Sequence, residues 1–232
     1  MVKFLVLAGG KGERMAPYTD IIPKCLLPVA GIPCVRWIID DILFQWGWSP
    51  EDIILCINRK FENHFKHEFR DLSIKFSITE EPRGTGSEIL AAKRFLDSNT
   101  FILRYGDDLT DVNYNLLLKL HQSKKALITL GLTKRVKVPV GVVILDGDRV
   151  VVIKEKPYLN HNTWMGVAVM DSFVLKYLKE GDDIAGDLIP TVIMNHPDKV
   201  IGYVFDSEWY DVGNLEHWRR VNEAWYNRTF SY

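Results

Sequence analysis

The sequence predicts an α/β protein whose sheet is mixed but mostly parallel and is flanked by helices on both faces. Three observations support that class. Strand-like apolar runs alternate with helical patterns over residues 1–105, several of those strands end in turns rich in glycine or aspartate, and 47% of the 232 residues are hydrophobic. A chain of this size and composition can bury one core, so residues 1–232 are predicted to form a single domain.

The first half of the chain alternates predicted strands and helices. Residues 2–8 are apolar except at Lys3 and predict a buried strand, whereas the proline-rich stretch 17–33 has no helical period and predicts an ordered loop. Apolar residues at spacings of three and four then predict a helix over 35–46 that ends near Gly47. The further predicted elements of this half are strands at 52–57, 72–79 and 100–105 and helices at 61–69 and 88–96.

This alternation predicts where a ligand would bind. Parallel strands joined by right-handed crossovers place their carboxyl ends at one edge of the sheet, and ligands bind at that edge in open α/β sheets. The glycine turn at 9–12, the segment Gly84-Thr85-Gly86 and the segment Gly106-Asp107-Asp108 each follow a predicted strand. We therefore expect these three segments to lie together.

The second half of the chain is less regular. Asp146-Gly147-Asp148 lies between two strand-like runs and predicts a β-hairpin. The segment 209–213 predicts a turn, and apolar residues from Leu215 to Trp225 predict a final helix. The other predicted elements are strands at 126–132, 138–145, 149–154, 163–170 and 200–205 and helices at 172–178 and 184–195.

The turn at 9–12 is a candidate ligand site. Its glycines allow the backbone to approach a ligand closely, and its free N–H groups, with Lys11 and Arg14 beside them, suit a phosphate chain. A tight connection with no ligand is the alternative interpretation. Two familiar phosphate motifs do not fit, because Met15 stands where the dinucleotide fingerprint needs glycine and Gly12 stands where the P-loop needs serine or threonine.

Four side chains on predicted loops are open to a structural and a functional interpretation. Asp107, with Asp211 in a second turn, could cap or solvate its loop, or the two carboxylates could supply oxygen ligands to Mg²⁺. Lys24 lies between prolines and Lys156 precedes Pro157. A loop lysine is usually solvated, but rigid neighbours could aim each of these lysines at a ligand.

Composition and charge exclude several classes of partner. The net charge of −1 gives no broad basic surface, so no nucleic-acid partner is expected. The apolar start is too short for a membrane span or an ordinary signal sequence, which predicts a cytoplasmic protein without a membrane partner. Cys25, Cys34 and Cys56 are odd in number and lack metal-ligand spacing, so free thiols are expected rather than a disulfide framework or zinc site.

Several motifs together resemble the signature of the sugar-1-phosphate nucleotidyltransferases, also called NDP-sugar pyrophosphorylases. The resemblance implies a Rossmann-like fold of the nucleotidyltransferase type that covers the catalytic domain only. It also implies a nucleotide-binding half at 1–110 and a sugar-phosphate-binding half at 111–232. The matching segments are 7–19, 23–24, 28–29, 82–86, 106–107, 140–143, 155–157, 187–190 and 209–213, which together span nearly the whole chain.

The family reaction that the resemblance implies joins a nucleoside triphosphate and a sugar 1-phosphate to give an NDP-sugar and pyrophosphate, with Mg²⁺ as cofactor. These two substrates are the expected partners, and a homo-oligomer is left open. Guanylyl- or uridylyltransferase activity is favoured, because Gly84-Thr85-Gly86 is similar to their versions of the motif. Two anionic reactants must be held together, so catalysis would rest on fixed cations, Mg²⁺ and in-line positioning.

Matching positions imply roles for individual residues. Glu13, where the family usually has threonine, departs from the pattern, and so do Val140 and Trp164-Met165-Gly166 in the sugar pocket, which leaves the identity of the sugar open. The implied roles are catalysis for Arg14 and Lys24; nucleotide binding for Leu7, Ala8, Gly9, Gly10, Lys11, Gly12, Gly84 and Thr85; sugar-phosphate binding for Gly141, Glu155 and Lys156; and Mg²⁺ ligation for Asp107 and Asp211.

Two other classes of function are weighed against this one. A catalytically silent regulatory subunit of the same fold would usually lack one of Arg14, Lys24, Asp107 and Asp211, and all four residues are present. A nicotinamide-dependent oxidoreductase is disfavoured by the missing third glycine of its fingerprint. Nucleotidyl transfer is therefore the leading hypothesis.

Overall fold

The computed structural model describes residues 2–96 and 100–230, in which strands and helices alternate. The strands of the first half are β1 (Lys3–Leu7), β2 (Pro28–Val29), β3 (Ile32–Pro33), β4 (Ile53–Asn58), β5 (Lys75–Thr79), β6 (Thr100–Tyr105) and β7 (Asp108–Thr110). Its helices are α1 (Cys34–Asp40), α2 (Glu62–Glu68) and α3 (Thr85–Ala92). The second half holds α4 (Tyr114–Lys124), β8 (Ile128–Thr133), β9 (Val142–Asp146), β10 (Arg149–Lys154), β11 (Thr163–Asp171), α5 (Ile189–Asn195), β12 (Val200–Phe205), β13 (Trp209–Asp211) and α6 (Leu215–Phe230).

Within the described residues, the central sheet has seven strands in the order β12-β8-β11-β6-β1-β4-β5. Strand β1 is parallel to β4 and to β6, β4 is parallel to β5, and β12 is parallel to β8. Strand β11 runs antiparallel to both of its neighbours. The prediction of a mixed, mostly parallel sheet is confirmed, and β1, β4, β5 and β6 end at the same edge.

The core forms two layers, one on each face of the sheet. Because successive side chains of a strand point to opposite faces, Phe4 and Val6 of β1 join one buried cluster and Leu5 and Leu7 join the other. Helices α1, α2, α4 and α6 contribute to the first cluster, and α3 and α5 contribute to the second. Helices therefore cover both faces, as predicted.

Several element boundaries differ from the predicted ones. Helix α1 continues into a π-helical segment, Asp41–Gln45. The helical region ends near Gly47, as expected, where the glycine has a φ of 68°. Helix α3 begins at Thr85 rather than near residue 88. Gly84 and Gly86, on either side of Thr85, weaken the helical pattern in the sequence. The N–H of Gly86 donates to the carbonyl of Asp182, so a tertiary contact outweighs the low helix propensity of glycine.

The prediction of a turn at 209–213 is wrong, because this segment begins with a short strand. Residues Trp209–Asp211 form β13, which pairs antiparallel with β7 so that Asp211 lies opposite Asp108. A strand of three residues is too short to show alternation in sequence, and its partner lies about a hundred residues earlier, so local pattern could not reveal it.

The hairpin of β9 and β10 stands apart from the central sheet. Its two strands pair only with each other. Eight aliphatic side chains are exposed on its two faces, those of residues 142–145 and 150–153. The predicted strand at 138–145 begins only at Val142.

The three cysteines Cys25, Cys34 and Cys56 are buried and free, as expected. Among the described residues, no helix combines the length and apolar character required to cross a membrane.

Candidate active site

The glycine turn after β1 owes its shape chiefly to Gly12. Of the three glycines in the turn, Gly12 alone has a positive φ, at 68°. A Cβ at this position would lie 2.8 Å from Cγ2 of Thr19, whose hydroxyl donates to the Gly12 carbonyl at 2.9 Å. A side chain would therefore be both strained and obstructed, and Thr19 holds the turn from below.

The end of β1 is fixed by backbone hydrogen bonds to its two neighbouring strands. The N–H of Gly106 donates to the carbonyl of Leu7, and the N–H of Ala8 donates to the carbonyl of Cys56, each at 2.8 Å. Leu7 and Ala8 are buried. These contacts hold the glycine turn at the carboxyl edge of the sheet, where the three predicted segments meet.

A cavity of about 690 Å³ opens beside this turn. We call it the glycine-turn cavity. It brings together the turn, Arg14, Lys24 and the segment 82–85, which the sequence places far apart. The basic side chains on its wall belong to Lys11, Arg14, Lys24 and Arg83, and the acidic ones belong to Glu13, Glu88 and Asp183. Glycine backbone and several cationic side chains around one opening suit a polyanion.

Glu13, which departs from the family pattern, is paired in part with Lys11. The Lys11 Nζ lies 3.8 Å from the Glu13 Oε1, and both side chains are exposed. An exposed pair at this distance is weak, so Lys11 remains able to turn toward an anion in the cavity.

The segment that starts α3 is held by the loop at 181–184. Gly84 has a φ of 102°, and a Cβ there would lie 2.7 Å from the carbonyl oxygen of Asp182. The Thr85 hydroxyl donates to the Asp183 carboxylate at 3.0 Å and accepts the N–H of Ile184 at 2.9 Å. Gly84 and Thr85 therefore form a rigid wall of the glycine-turn cavity.

Two carboxylates and one lysine form a buried charge cluster beside the cavity. Lys24 makes an ion pair with Asp107, and both side chains are largely buried. The N–H of Val212 donates to the carbonyl of Asp107 at 3.0 Å, which holds Asp211 next to it. Burial, with the Asp107 charge adding to it, raises the pKa of Asp211. Burial acts to lower the pKa of Lys24, but the charge and hydrogen bond of Asp107, together with Cys25 and Asp211, leave the pKa raised.

The Asp107 and Asp211 carboxylates fit a divalent metal such as Mg²⁺. Both are hard oxygen ligands, and burial together with the Asp107 charge raises the pKa of Asp211, two costs of its ionised form that a bound cation would offset. In residues 2–96 and 100–230, no group of three or more His, Cys, Asp or Glu side chains could hold a metal ion. The remaining ligands would have to be water and substrate oxygens, which is the usual arrangement for Mg²⁺.

Asp108 does not share this role, because its side chain points into the interior. It is buried, and a Cβ at Gly166 would lie 2.3 Å from its Oδ2. Burial, followed by the Asp107 charge, raises the pKa of Asp108 well above its usual range. Gly166 has a φ of 67° where the pairing of β11 shifts register, which explains the glycine in the Trp164-Met165-Gly166 segment.

A second cavity, of about 410 Å³, lies on the other side of the segment 211–213. We call it the aromatic cavity. Asp211 lines the aromatic cavity and Gly213 lines the glycine-turn cavity, so this short segment separates the two. The His217 Nδ1 lies 3.5 Å from the Asp211 Oδ2. The main side chains on the wall of the aromatic cavity are those of Arg135, Lys137, Tyr158, Trp209, His217 and Arg220.

Similarity to known proteins identifies the family of the chain. The family model described as nucleotidyl transferase matches residues 3–228, which is almost the entire chain. The chain belongs to the nucleotidyl transferase family. Its fold agrees with that assignment, because the crystal structure of HddC from Yersinia pseudotuberculosis superimposes with a TM-score of 0.74 at 22% identity, covering 97% of this chain and 100% of that one.

Curated relatives of this family member include two guanylyltransferases. The D-glycero-alpha-D-manno-heptose 1-phosphate guanylyltransferase of Aneurinibacillus thermoaerophilus is 27% identical over 231 residues, covering 94% of this chain and 96% of that protein. The mannose-1-phosphate guanylyltransferase of Mycobacterium tuberculosis is 33% identical over 233 residues, covering 94% of this chain but 63% of that protein. The chain thus spans about three-fifths of the length of several curated relatives.

The three residues predicted to bind the sugar phosphate lie at the base of the hairpin and line neither of the two cavities. Gly141 is next to Glu155, since a Cβ at Gly141 would lie 3.2 Å from the Glu155 Oε2. Lys156 is exposed and has a φ of 46°. Tyr158, two residues further on, does line the aromatic cavity. The sugar-phosphate role of Gly141, Glu155 and Lys156 stays a prediction.

Sequence reasoning missed several side chains on the cavity walls. Glu88 lies in the first turn of α3, where an acidic residue after a glycine turn is a faint signal at most. Arg220 gave no signal, because tertiary contacts place its helix. The N–H of the Trp218 indole donates to the Pro28 carbonyl at 2.8 Å, and Asn222 accepts the N–H of Ala30 at 2.9 Å, which docks α6 on the proline-rich loop.

Proposed function

We propose that this chain transfers a nucleoside monophosphate from a nucleoside triphosphate to a sugar 1-phosphate and releases pyrophosphate, with Mg²⁺ as cofactor. One observation carries the proposal: Asp107, Asp211 and Lys24 form a charge cluster at the segment that separates the two cavities. Each substrate can then occupy one cavity while their phosphates meet at the cluster. Membership of the nucleotidyl transferase family and the guanylyltransferase relatives support the same reaction.

The glycine-turn cavity is the proposed nucleotide site. Gly10, Lys11 and Gly12 would cradle the triphosphate through backbone N–H groups and one ammonium. Arg14 would hold the pyrophosphate as it leaves, because a planar guanidinium binds two phosphate oxygens at once. The other proposed contacts to the nucleotide come from the wall formed by Gly84 and Thr85. Leu7, Ala8 and Gly9 do not line the cavity, and the Leu7 carbonyl and the N–H groups of Ala8 and Gly9 are hydrogen-bonded within the protein, so these three residues would hold the turn in place.

The aromatic cavity is the proposed sugar-phosphate site. Trp209 and Tyr158 offer ring faces to a sugar, and the cationic side chain of Arg220 suits its phosphate. The hairpin residues Gly141, Glu155 and Lys156 would reach the sugar phosphate from the open side. The halves at 1–110 and 111–232 are then proposed to supply mainly the nucleotide and the sugar-phosphate contacts, although Asp183 and Gly213 of the second half also line the nucleotide cavity.

The transfer step needs positioning more than proton transfer. An oxygen of the sugar phosphate forms a bond to the α-phosphorus while the bond from that phosphorus to the bridging oxygen breaks, and pyrophosphate leaves with the electron pair. No general base is needed, because the attacking oxygen is already ionised. Lys24 would offset the charge between the two reacting phosphates, and Asp107 and Asp211 would hold Mg²⁺. When bound, Mg²⁺ supplies positive charge to those phosphates and helps to orient them.

The base and the location of the reaction are further parts of the proposal. The two relatives described above are named as guanylyltransferases, and the Gly84-Thr85-Gly86 segment favours GTP or UTP. We place the reaction in the cytoplasm, where nucleoside triphosphates are made, and expect neither a nucleic-acid nor a membrane partner. A homo-oligomer is compatible with all of these features.

A pyrophosphate-release screen tests the proposal. The purified chain would be incubated with each of GTP, UTP, dTTP, CTP and ATP, crossed with hexose and heptose 1-phosphates, with Mg²⁺ or with EDTA. Mg²⁺-dependent release with one or a few pairs is the expected result. NDP-sugar binding without turnover would indicate a silent regulatory subunit, and a thermal shift with NAD but with no nucleoside triphosphate would indicate an oxidoreductase.

A further inference from the structure

Glu88 is a buried acid on the wall of the glycine-turn cavity that the proposed transfer step does not use. Its side chain is on α3, the residue is 3% exposed, and it lines the cavity beside Gly84 and Thr85. The N–H of Gly9 donates to its Oε2 at 3.0 Å. One of the N–H groups predicted to face the nucleotide is therefore taken by a side chain of the protein itself.

The carboxyl of Glu88 has no cationic partner. Across residues 2–96 and 100–230, Lys, Arg and His side chains form 13 ion pairs with acidic groups, and none of these pairs includes Glu88. An isolated carboxylate is costly to bury, so the neutral acid is the favoured form. Burial raises the pKa of Glu88 to about 8; the N–H groups of Gly9 and Ala8 oppose this effect, and the Asp107 charge adds to it.

Other titratable and charged groups surround Glu88 on every side. On the neighbouring strand β4, the buried Cys56 thiol donates to the Glu88 backbone carbonyl at 3.8 Å. Asp107 follows β6 and adds negative charge. The charged groups that share the cavity wall with Glu88 are Lys11, Glu13, Arg14, Lys24, Arg83 and Asp183.

The hydrogen bond from Gly9 decides what a neutral carboxyl can offer. The oxygen that accepts the Gly9 N–H acts as the carbonyl oxygen, so the proton resides on the other oxygen, Oε1. Because Glu88 lines the cavity, a neutral carboxyl can offer this O–H as a donor to a bound molecule. Lys11, Gly12 and Arg14 are the proposed phosphate contacts, which leaves Glu88, beside Gly84 and Thr85 on the cavity wall, for the nucleoside end.

We propose that Glu88 determines base specificity, by accepting the Gly9 N–H with one oxygen and donating a proton from the other to a carbonyl oxygen of the nucleotide base. This inference rests on the proposed function of the cavity as a nucleotide site. Guanine, hypoxanthine and uracil carry a carbonyl beside a ring N–H, whereas adenine has an amino group in place of that carbonyl. The preferred ligand is therefore a keto base, and adenine is rejected because the buried O–H would face another donor.

Glutamine and alanine at position 88 separate this role from a structural one. Glu88→Gln imitates the neutral acid, because its amide oxygen can accept the Gly9 N–H and its amide nitrogen can donate to the base. Calorimetry of nucleotide binding without sugar phosphate should show GTP or UTP, whichever binds, within about threefold of the unmodified chain at pH 7. Glu88→Ala should weaken that nucleotide by about 10-fold or more and reduce the preference over ATP, since the donor is lost.

The pH dependence of binding supplies a readout that folding alone would not move. As pH rises through about 8, the unmodified chain should bind the keto nucleotide less well, because an ionised Glu88 can no longer donate. Glu88→Gln should remove this loss between pH 7 and pH 9. Glu51→Gln, at an exposed position before β4 that does not line the cavity, is the matched control and should keep the pH profile of the unmodified chain.

Two outcomes would overturn the inference. Equal weakening of GTP, UTP and ATP by both Glu88 variants, with a flat pH profile in the unmodified chain, would reduce Glu88 to a support for Gly9. Strong loss of the keto nucleotide in Glu88→Gln alone, with normal folding, would mean that the ionised carboxylate is the form that binds. If Glu88→Ala does not fold, Glu88→Gln and the pH series carry the test. Nucleotide binding without any transfer to sugar phosphates would contradict the proposed reaction while leaving this inference testable.

Discussion

The two cavities differ in how firmly their walls are held. Around the glycine-turn cavity, contacts to Thr19, Glu88 and the 181–184 loop fix the backbone itself. Around the aromatic cavity, the basic groups are surface side chains: Arg135 pairs with the exposed Asp206 at 2.6 Å, and Arg220 is exposed. A rigid backbone site suits the positioning of phosphates for reaction, whereas exposed cations mainly strengthen capture and are screened by salt.

This difference teaches that the two cavities should respond differently to mutation. Changes at the charge cluster and the glycine turn should act on the reaction or on the fold, because Lys24 and Asp107 form a largely buried ion pair and Gly12 is held against Thr19. Changes in the aromatic cavity should act on the affinity for the sugar phosphate and leave the chemical step largely intact. Four predictions test that division.

The largest effect is expected at Asp211, which lies between the cavities. Asp211→Asn should lower kcat by about 1000-fold or more at saturating Mg²⁺, because phosphate charge is no longer neutralised. The Tm should not fall, since the change also removes repulsion with Asp107. Pyrophosphate release and thermal denaturation measure the two effects, with the exposed Asp198→Asn as control. A kcat within about tenfold of the unmodified value would remove the metal assignment.

Lys24→Ala should have the next largest effect. We expect kcat to fall by about 100-fold, because this largely buried ammonium is the group proposed to offset the charge of the reacting phosphates. The concentration of Mg²⁺ needed for half-maximal rate should also fall, since Asp107 is no longer occupied by lysine. Steady-state rates over a Mg²⁺ titration measure both, and the exposed Lys119→Ala is the control. A normal kcat at saturating Mg²⁺ would restrict Lys24 to balancing Asp107.

Arg220→Ala tests the aromatic cavity. The KM for the sugar phosphate should rise by about tenfold, the worth of one partly exposed charge-assisted contact, while the KM for the nucleoside triphosphate and kcat stay nearly unchanged. The effect should shrink at high salt. Arg219→Ala is the matched control, because Arg219 is exposed on the same helix but does not line the cavity. A change in kcat alone would contradict the division between the cavities.

The smallest effect on the reaction, and a measurable one on stability, is expected from Gly12→Ala. The positive φ and the contact with Thr19 should cost about 2 kcal/mol, which lowers the Tm by about 5 °C. Gly10→Ala is the control for stability, because a Cβ at Gly10 meets no atom within 4 Å. Thermal denaturation of both variants gives the comparison. Equal losses of Tm would show that the turn tolerates a side chain at either position.

The order of strands and helices could be predicted from the sequence because the signals were local. The strand at 100–105, the strand at 200–205 and the Asp146-Gly147-Asp148 turn follow directly from apolar runs and turn residues. The convergence of the glycine turn with the segment 82–86 also followed, because parallel strands share one edge. Grouping Arg14, Lys24 and the acidic residues came from the family resemblance.

What the sequence could not predict depends on contacts between distant segments. Strand β13 exists because β7 pairs with it, and neither is long enough to show a period of its own. Arg220 reaches the aromatic cavity because α6 docks on the proline-rich loop. The buried carboxyl of Glu88 accepts a hydrogen bond from the N–H of Gly9, about eighty residues earlier in the chain. Composition and periodicity carry no information about such pairs.

The hairpin of β9 and β10 has a consequence for local stability. Two strands with water on both faces gain little from desolvation, and a lone hairpin is only marginally stable. Its amide hydrogens should therefore exchange with solvent far sooner than those of β1, which is covered on both sides. Gly141 and Glu155 flank this pair of strands, so the hairpin can open locally next to them while the glycine turn keeps its conformation.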